Sequence, residues 1–157
     1  MLSLFIRNLL FTILQPGLVA GLIPLWITGV RINNIFDEVW KLHHYIGSIA
    51  FLIGFVIMLW CILSFAVKGG GTLSPIDPTK KLVISGLYHF SRNPMYVGVI
   101  IILIGEAIFF QSANLWVYLL FVFVVFNIFV IHIEEPRLRK DFGEEYNLYC
   151  QKVRRWI

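Results

Sequence analysis

The sequence predicts an all-α fold: a polytopic membrane helical bundle of about four transmembrane helices, with an amphipathic surface helix at its C-terminus. Three observations carry this. Of the 157 residues, 59% are hydrophobic, and mean hydropathy is +0.81. Soluble domains sit near 45–50% apolar, roughly, and could not hide this much apolar surface. The apolar residues fall into blocks of bilayer-spanning length separated by polar connectors, which predicts one integral membrane domain over residues 1–157 with lipids as its surroundings. The Lys and Arg residues flank these blocks and form no separate basic domain, so nucleic acid is not an expected partner.

The first block, residues 4–30, can cross a bilayer once with tilt, and Pro16-Gly17 and Pro24 predict kinks in it. A cleaved signal peptide is not expected, because the block is too long for an h-region and lacks a small-residue cleavage site. A polar connector, Arg31 to Lys41, follows. The next span is residues 45–67, where Gly47, Ser48 and Gly54 would let a neighbouring helix approach closely. His43 and His44 precede it and read as an interfacial pair; a metal site there would need Asp37 or Glu38 as well, and no metal is expected. The two cysteines, Cys61 and Cys150, form no C-x-x-C pattern and no expected disulfide. The connector from Lys68 to Pro94 holds Gly69-Gly70-Gly71, Pro75 and Pro78, which forbid a helix, and no G-K-[ST] follows to make a phosphate loop.

Residues 95–110 form the third predicted span, with Glu106 inside it. A carboxylate at membrane depth is a functional candidate by default. Glu106 also stands near the far end of its block, about 16 Å along the helix from Met95, and so reads as an anchor at the opposite interface. A tight connector, Gln111 to Asn114, makes a hairpin with the fourth span, residues 115–133. His132 near its end lies three positions before Glu135, which predicts one shared helical face. Beyond it, Pro136 predicts a break or kink. Leu138, Phe142, Tyr146, Tyr149 and Val153 then recur at helical spacing as an amphipathic stripe, which predicts a surface helix.

The chain is organised around Lys80–Gly98, KKLVISGLYHFSRNPMYVG. It is basic, bounded by apolar blocks, and marked by Pro94, which pushes Asn93 out of helical dihedrals and opens a helix. A helix start offers unpaired N–H groups to a carboxylate or phosphate. Its Gly86, Tyr88, Arg92, Asn93, Pro94, Tyr96 and Gly98, with Glu134-Glu135 and then Phe142, Gly143, Tyr146 and Tyr149, resemble the signatures of the isoprenylcysteine carboxyl methyltransferase family and of its relatives among the phospholipid N-methyltransferases. The resemblance covers roughly the second half of the chain. One position departs: the family's usual His before the proline is Asn93, which can hydrogen-bond but cannot titrate.

The resemblance implies an S-adenosylmethionine-dependent methyltransferase acting on a lipophilic, membrane-dissolved acceptor: a carboxylate, an amine or a thiol. It implies a cofactor region over residues 80–157, with Tyr88, His89, Asn93, Pro94, Tyr96, Gly98, Glu134 and Glu135 as binding candidates and Arg92, Glu135 and His132 as catalytic candidates. The residue types suit that chemistry. Carboxylates attract an ammonium or sulfonium, an Arg or a helix start attracts a carboxylate, and aromatic faces suit a sulfonium. Methyl transfer itself is mostly a matter of positioning. Charged residues also routinely end spans, so Glu134 and Glu135 have that plainer reading beside the functional one. Two other functions stay open: a sterol-reductase-like membrane oxidoreductase, although no G-x-G-x-x-G fingerprint is present, and a non-catalytic membrane adaptor. With four spans, eleven of the thirteen Lys and Arg residues fall on the side of the termini, which predicts cytoplasmic termini and, in a bacterium, an inner-membrane location.

Overall fold

The computed structural model describes residues 16–29, 39–64 and 82–157. The start of the first predicted span, Asp37 and Glu38, and the Gly- and Pro-rich connector after the second span lie outside the described residues. Every regular element described is helical. The order is α1 (Leu18–Thr28), α2 (Leu42–Ser64), a 3₁₀ turn (Gly86–His89), α3 (Pro94–Phe109), α4 (Ala113–Phe129), a π-type turn (Val130–Glu134) and α5 (Glu135–Lys152). This is a helical membrane protein. Both α2 and the continuous α4–α5 helix are long and apolar enough to cross a bilayer. Leu52, Val56, Trp60 and Leu63 on α2 and Val117, Leu120, Phe121 and Ile128 on α4 remain exposed, an apolar exterior that suits lipid.

Prolines shape both ends of the chain in the same way. Pro24 has no N–H to give to the carbonyl of Ala20, and the kink falls at Ala20 (φ −109°, ψ 26°) inside a π-type turn, Leu18–Leu22. Pro136 likewise leaves His132 without its usual donor, and the helix passes through Val130–Glu134 as a π-type turn and continues. The predicted break at Pro136 is therefore a bulge, and the surface helix is a direct continuation of the fourth span. The sharp bend comes later, at Gly143 (φ 52°, ψ −122°), a backbone conformation that only glycine adopts readily.

The core is the α2–α3 crossing. A Cβ on Gly47 would stand 2.7 Å from the Gly105 carbonyl oxygen, and one on Gly54 would stand 2.6 Å from that of Gly98. Bare glycines facing one another let the two backbones touch, as their spacing predicts for α2. Met58, Val99, Ile102, Leu103 and Val122 fill the space around the crossing. At the head of α2, His44 Nδ1 accepts from the Lys41 backbone N–H at 2.9 Å and its ring packs on Phe109. That bond satisfies an otherwise unpaired donor at a helix start. Glu106 corrects the expectation of an interfacial anchor: it is buried at 8% exposure, because α1 and α2 close over it.

Candidate functional site

The signature segment folds as a short scaffold against the C-terminal tail. Gly86 takes a left-handed φ of 68°, which starts the 3₁₀ turn. Pro94 begins α3 and holds Asn93 outside the helical region, at φ −129° and ψ 49°. At the other end of the chain, Val153 leaves α5 in an extended conformation and the tail doubles back onto this segment. The Arg154 carbonyl accepts from the Arg92 backbone N–H at 2.9 Å. The Arg155 carbonyl accepts from Asn93 Nδ2 at 3.0 Å and from Ser91 Oγ at 3.4 Å. Tyr149 completes the seam by donating its hydroxyl to the Tyr88 carbonyl at 2.7 Å. Tyr146, Tyr149 and Val153 pack under it as a small satellite core.

This seam delivers three guanidinium groups to one carboxylate. Glu135, 4% exposed, receives Arg155 Nε at 2.7 Å and Arg155 Nη2 at 3.1 Å. Arg92 Nη1 lies 3.3 Å away and Arg139 Nη2 3.8 Å away. Burial alone would raise the Glu135 pKa, but the Arg155 hydrogen bonds and the charges of Arg92, Arg155 and Arg139 outweigh it and hold the group below the ordinary carboxylate range. Arg155 is raised in turn, chiefly by the same hydrogen bond. The neighbouring Glu134 goes the other way. Burial raises it, and the Tyr96 hydroxyl, donating to Oε2 at 2.9 Å, and Arg137 only partly offset that. The pKa values of two adjacent carboxylates thus shift in opposite directions, because three cations outweigh burial at Glu135 while Tyr96 and Arg137 do not outweigh it at Glu134.

Of the expected site residues, Tyr88, Arg92, Asn93, Tyr96, Glu134 and Glu135 join this assembly through the bonds above, and Pro94 sets its geometry. Gly98 faces Gly54 and Met58 of α2, where it serves the helix crossing. His89 is exposed on the 3₁₀ turn. His132 is exposed while Glu135 is buried, so the two do not share a face. The reason is the π-type turn between them, which shifts the register that i, i+3 spacing assumes. Arg155 and Cys150, whose Sγ lies 2.6 Å from Arg92 Nη1, were not expected here. Cys150 follows the aromatic stripe and could have been placed by its period. Arg155 sits beyond the helix, where no periodicity applies.

Two guanidinium groups at the site have an open donor that suits an anion. Arg92 Nε and Arg137 Nε are both buried with no hydrogen-bond partner among the described residues. Arg92 Nη1 is occupied by Glu135, so the remaining donor edge of Arg92 is preset to accept a carboxylate. That edge suits the carboxylate of an amino-acid-bearing group, and Glu134 and Tyr96 form an acid–phenol pair next to Glu135 in the chain. No group of three or more His, Cys, Asp or Glu side chains placed to hold a metal occurs among the described residues.

Comparison with known proteins agrees in location. The sequence profile of the phospholipid methyltransferase family matches residues 42–145, from α2 through the Glu pair. The chain is 31% identical over 101 residues to phosphatidylethanolamine N-methyltransferase B of Dictyostelium discoideum, a match over 62% of this chain and 50% of that protein, so it spans about half of that relative. It is also 36% identical over 63 residues to an uncharacterized protein of Haemophilus influenzae, covering 40% of this chain and all of that one. No solved structure matches the chain.

Proposed function

Because this chain belongs to the phospholipid methyltransferase family, we propose that it transfers a methyl group from S-adenosylmethionine to the amine of a membrane lipid. The observation that carries the reading is the Arg92–Glu135–Arg155 cluster, formed where the signature segment, the Glu pair and the tail meet. The amine acceptor is supported by the family description and by the activity in the name of the Dictyostelium relative.

S-adenosylmethionine supplies an electrophilic methyl group on a sulfonium. This chain's residues supply the rest. Arg92 would hold the donor's carboxylate through its unpartnered Nε edge. Glu135 is a positioning residue: its oxygens are already taken by guanidinium groups, so it acts by fixing Arg92 and Arg155. Glu134 is the proton acceptor. A lipid ammonium must lose a proton before its lone pair can form the new N–C bond as the S–C bond breaks. A carboxylate raised by burial is better matched to take that proton than an ordinary one. Tyr96 orients Glu134 through its hydroxyl. The charge distribution supports a cytoplasmic location for this site and both termini.

The test uses purified protein in phosphatidylethanolamine vesicles with isotopically labelled methyl donor. Label on the headgroup nitrogen is expected; label only in methyl esters or thioethers, or none, overturns the amine reading. In the same preparation Arg92→Ala should weaken S-adenosylhomocysteine binding roughly ten- to a hundredfold, the loss of a charge-assisted hydrogen bond of about 1.5–3 kcal/mol. Unchanged affinity would place the donor elsewhere. Impermeant thiol labelling of Asn33→Cys and Ser74→Cys, in a chain without Cys61 and Cys150, should report opposite sides; the same side for both rejects the topology.

A further inference from the structure

At the far end of α3 from the cluster, α1, α2 and α3 line a half-open cavity of about 490 Å³. Leu25, Phe51, Phe109 and Phe110 make its walls, and Gly47 and Gly105, touching backbone to backbone, run along it. The size is that of an ordinary small-ligand site, roughly 300–1,000 Å³. It stands apart from the methyl-transfer site, because Glu106 lies twelve residues beyond Pro94 on α3, about 18 Å by helical rise.

Glu106 lines this cavity, is 8% exposed, and leaves Oε2 buried with no hydrogen-bond partner among the described residues. Among the described lining residues there is no Lys, Arg or His, and Ser48 is the one other polar side chain. Tyr118, the nearby phenol, is committed: its hydroxyl donates to the Val19 carbonyl at 2.9 Å. A carboxyl group among apolar side chains is costly until donors, and preferably a positive charge, reach it. Among the described residues, these walls offer the Ser48 hydroxyl and no positive charge.

We propose that this cavity binds a single-chain amphiphile with a cationic amine head, its ammonium on Glu106 and its alkyl chain along Phe51, Phe109 and Phe110. An ammonium brings three donors and a charge to the unpaired oxygen. The aromatic walls add cation–π attraction near the head and apolar area along the chain. Neither the signature segment nor the Glu pair is needed for it, so the site is independent of methyl transfer.

The experiment uses the full chain in phosphatidylcholine nanodiscs, whose lipid has no N–H donor. A diazirine-bearing dodecylamine is cross-linked in competition with unlabelled dodecylamine or dodecanol, and labelled peptides are mapped by mass spectrometry. Saturable labelling of α2 and α3 around Phe51 and Phe109 is expected. Dodecanol should compete at least tenfold more weakly than dodecylamine, the size of one charge-assisted hydrogen bond, roughly. Glu106→Gln should abolish that preference while S-adenosylhomocysteine binding stays at the wild-type level, which also shows that the variant is folded. Equal competition by amine and alcohol in the wild type overturns the proposal without any variant. So does an amine preference that survives Glu106→Gln.

Discussion

Glu135 and Glu106 are withdrawn from water to nearly the same degree, 4% and 8% exposed, yet they live in opposite surroundings. Glu135 is ringed by Arg92, Arg139 and Arg155. Among the described residues, Glu106 has an oxygen with no hydrogen-bond partner and no cation lining its cavity. Burial therefore says little about a carboxylate until its partners are known. The partners follow from chain order. Glu135 stands where a span gives way to a basic tail that folds back. Glu106 stands where three apolar helices meet, and such helices bring only methyl groups, rings and glycines.

The largest expected effect separates the two directly. Glu135→Gln leaves Arg92 and Arg155 without their shared anion. It should cost about 3 kcal/mol, the low end for breaking a buried pair, because Arg139 and Arg155 are 55% and 34% exposed. Glu106→Gln should be near neutral or slightly stabilising, since it removes a carboxyl group that nothing pairs. Thermal unfolding in detergent measures both. Burial raises Glu135, but its ion pairs outweigh that and hold it below the ordinary range. Its stabilisation is thus present at neutral pH and is lost as pH falls through the folded-state value, below roughly 4.3. The gap between wild type and Glu135→Gln should close only there. A gap that stays constant from neutral to acid would show that the cluster is not ionic.

A middle-sized effect tests how the two regions are joined. Gly54 meets Gly98 near the methyl-transfer site, and Gly47 meets Gly105 beside the Glu106 cavity. In both places an added Cβ runs into backbone, so Gly54→Ala and Gly47→Ala should each cost about 1–3 kcal/mol by overpacking. Gly54→Ala should also weaken S-adenosylhomocysteine binding, because it pushes on the start of α3 that carries Tyr96. Gly47→Ala should leave that binding intact. Equal loss in both variants would mean that α3 moves as one rod.

Much of this architecture was legible beforehand, for reasons tied to particular residues. The apolar blocks and their glycines pointed to the helices and to a close-approach face on α2, though not to α3 as its partner, since spans and small-residue faces are local patterns. Arg92 and the Glu pair could be assigned to one site because both lie at span ends on one side. Three features were not legible. The π-type turn before Pro136 moved His132 off the face of Glu135, because spacing arguments assume an unbroken helical register. Glu106 was read as an interfacial anchor, because depth along a helix is visible in sequence and enclosure by other helices is not. Arg155 lies in an extended tail, where the partner sixty-odd residues earlier is chosen by tertiary folding alone.

The smallest expected effect concerns Asn93, where this chain departs from the family signature. Its side chain is buried and donates through Nδ2 to the Arg155 carbonyl at 3.0 Å, while its own backbone N–H reaches Ser91 Oγ at 3.1 Å. Those bonds place Asn93 in the seam that carries Arg155 to Glu135, and they make it a positioning residue. Losing one such neutral hydrogen bond should cost about 1 kcal/mol, roughly a fivefold change in an equilibrium. Asn93→Ala should therefore lower methyl-transfer activity and donor affinity together and by that modest factor, since the tail loosens and Arg92 loses its fixed neighbour. Asn93→His can still donate a ring N–H to the same carbonyl and should retain most activity. Its pH–rate profile should gain no step near the ordinary His value of about 6.5, because the side chain faces the tail and not the acceptor amine. A new ionisation in that profile would show that this position reaches the reacting proton. The proton would then have a route that bypasses Glu134, and the division of labour between the two ends of the signature would have to be redrawn.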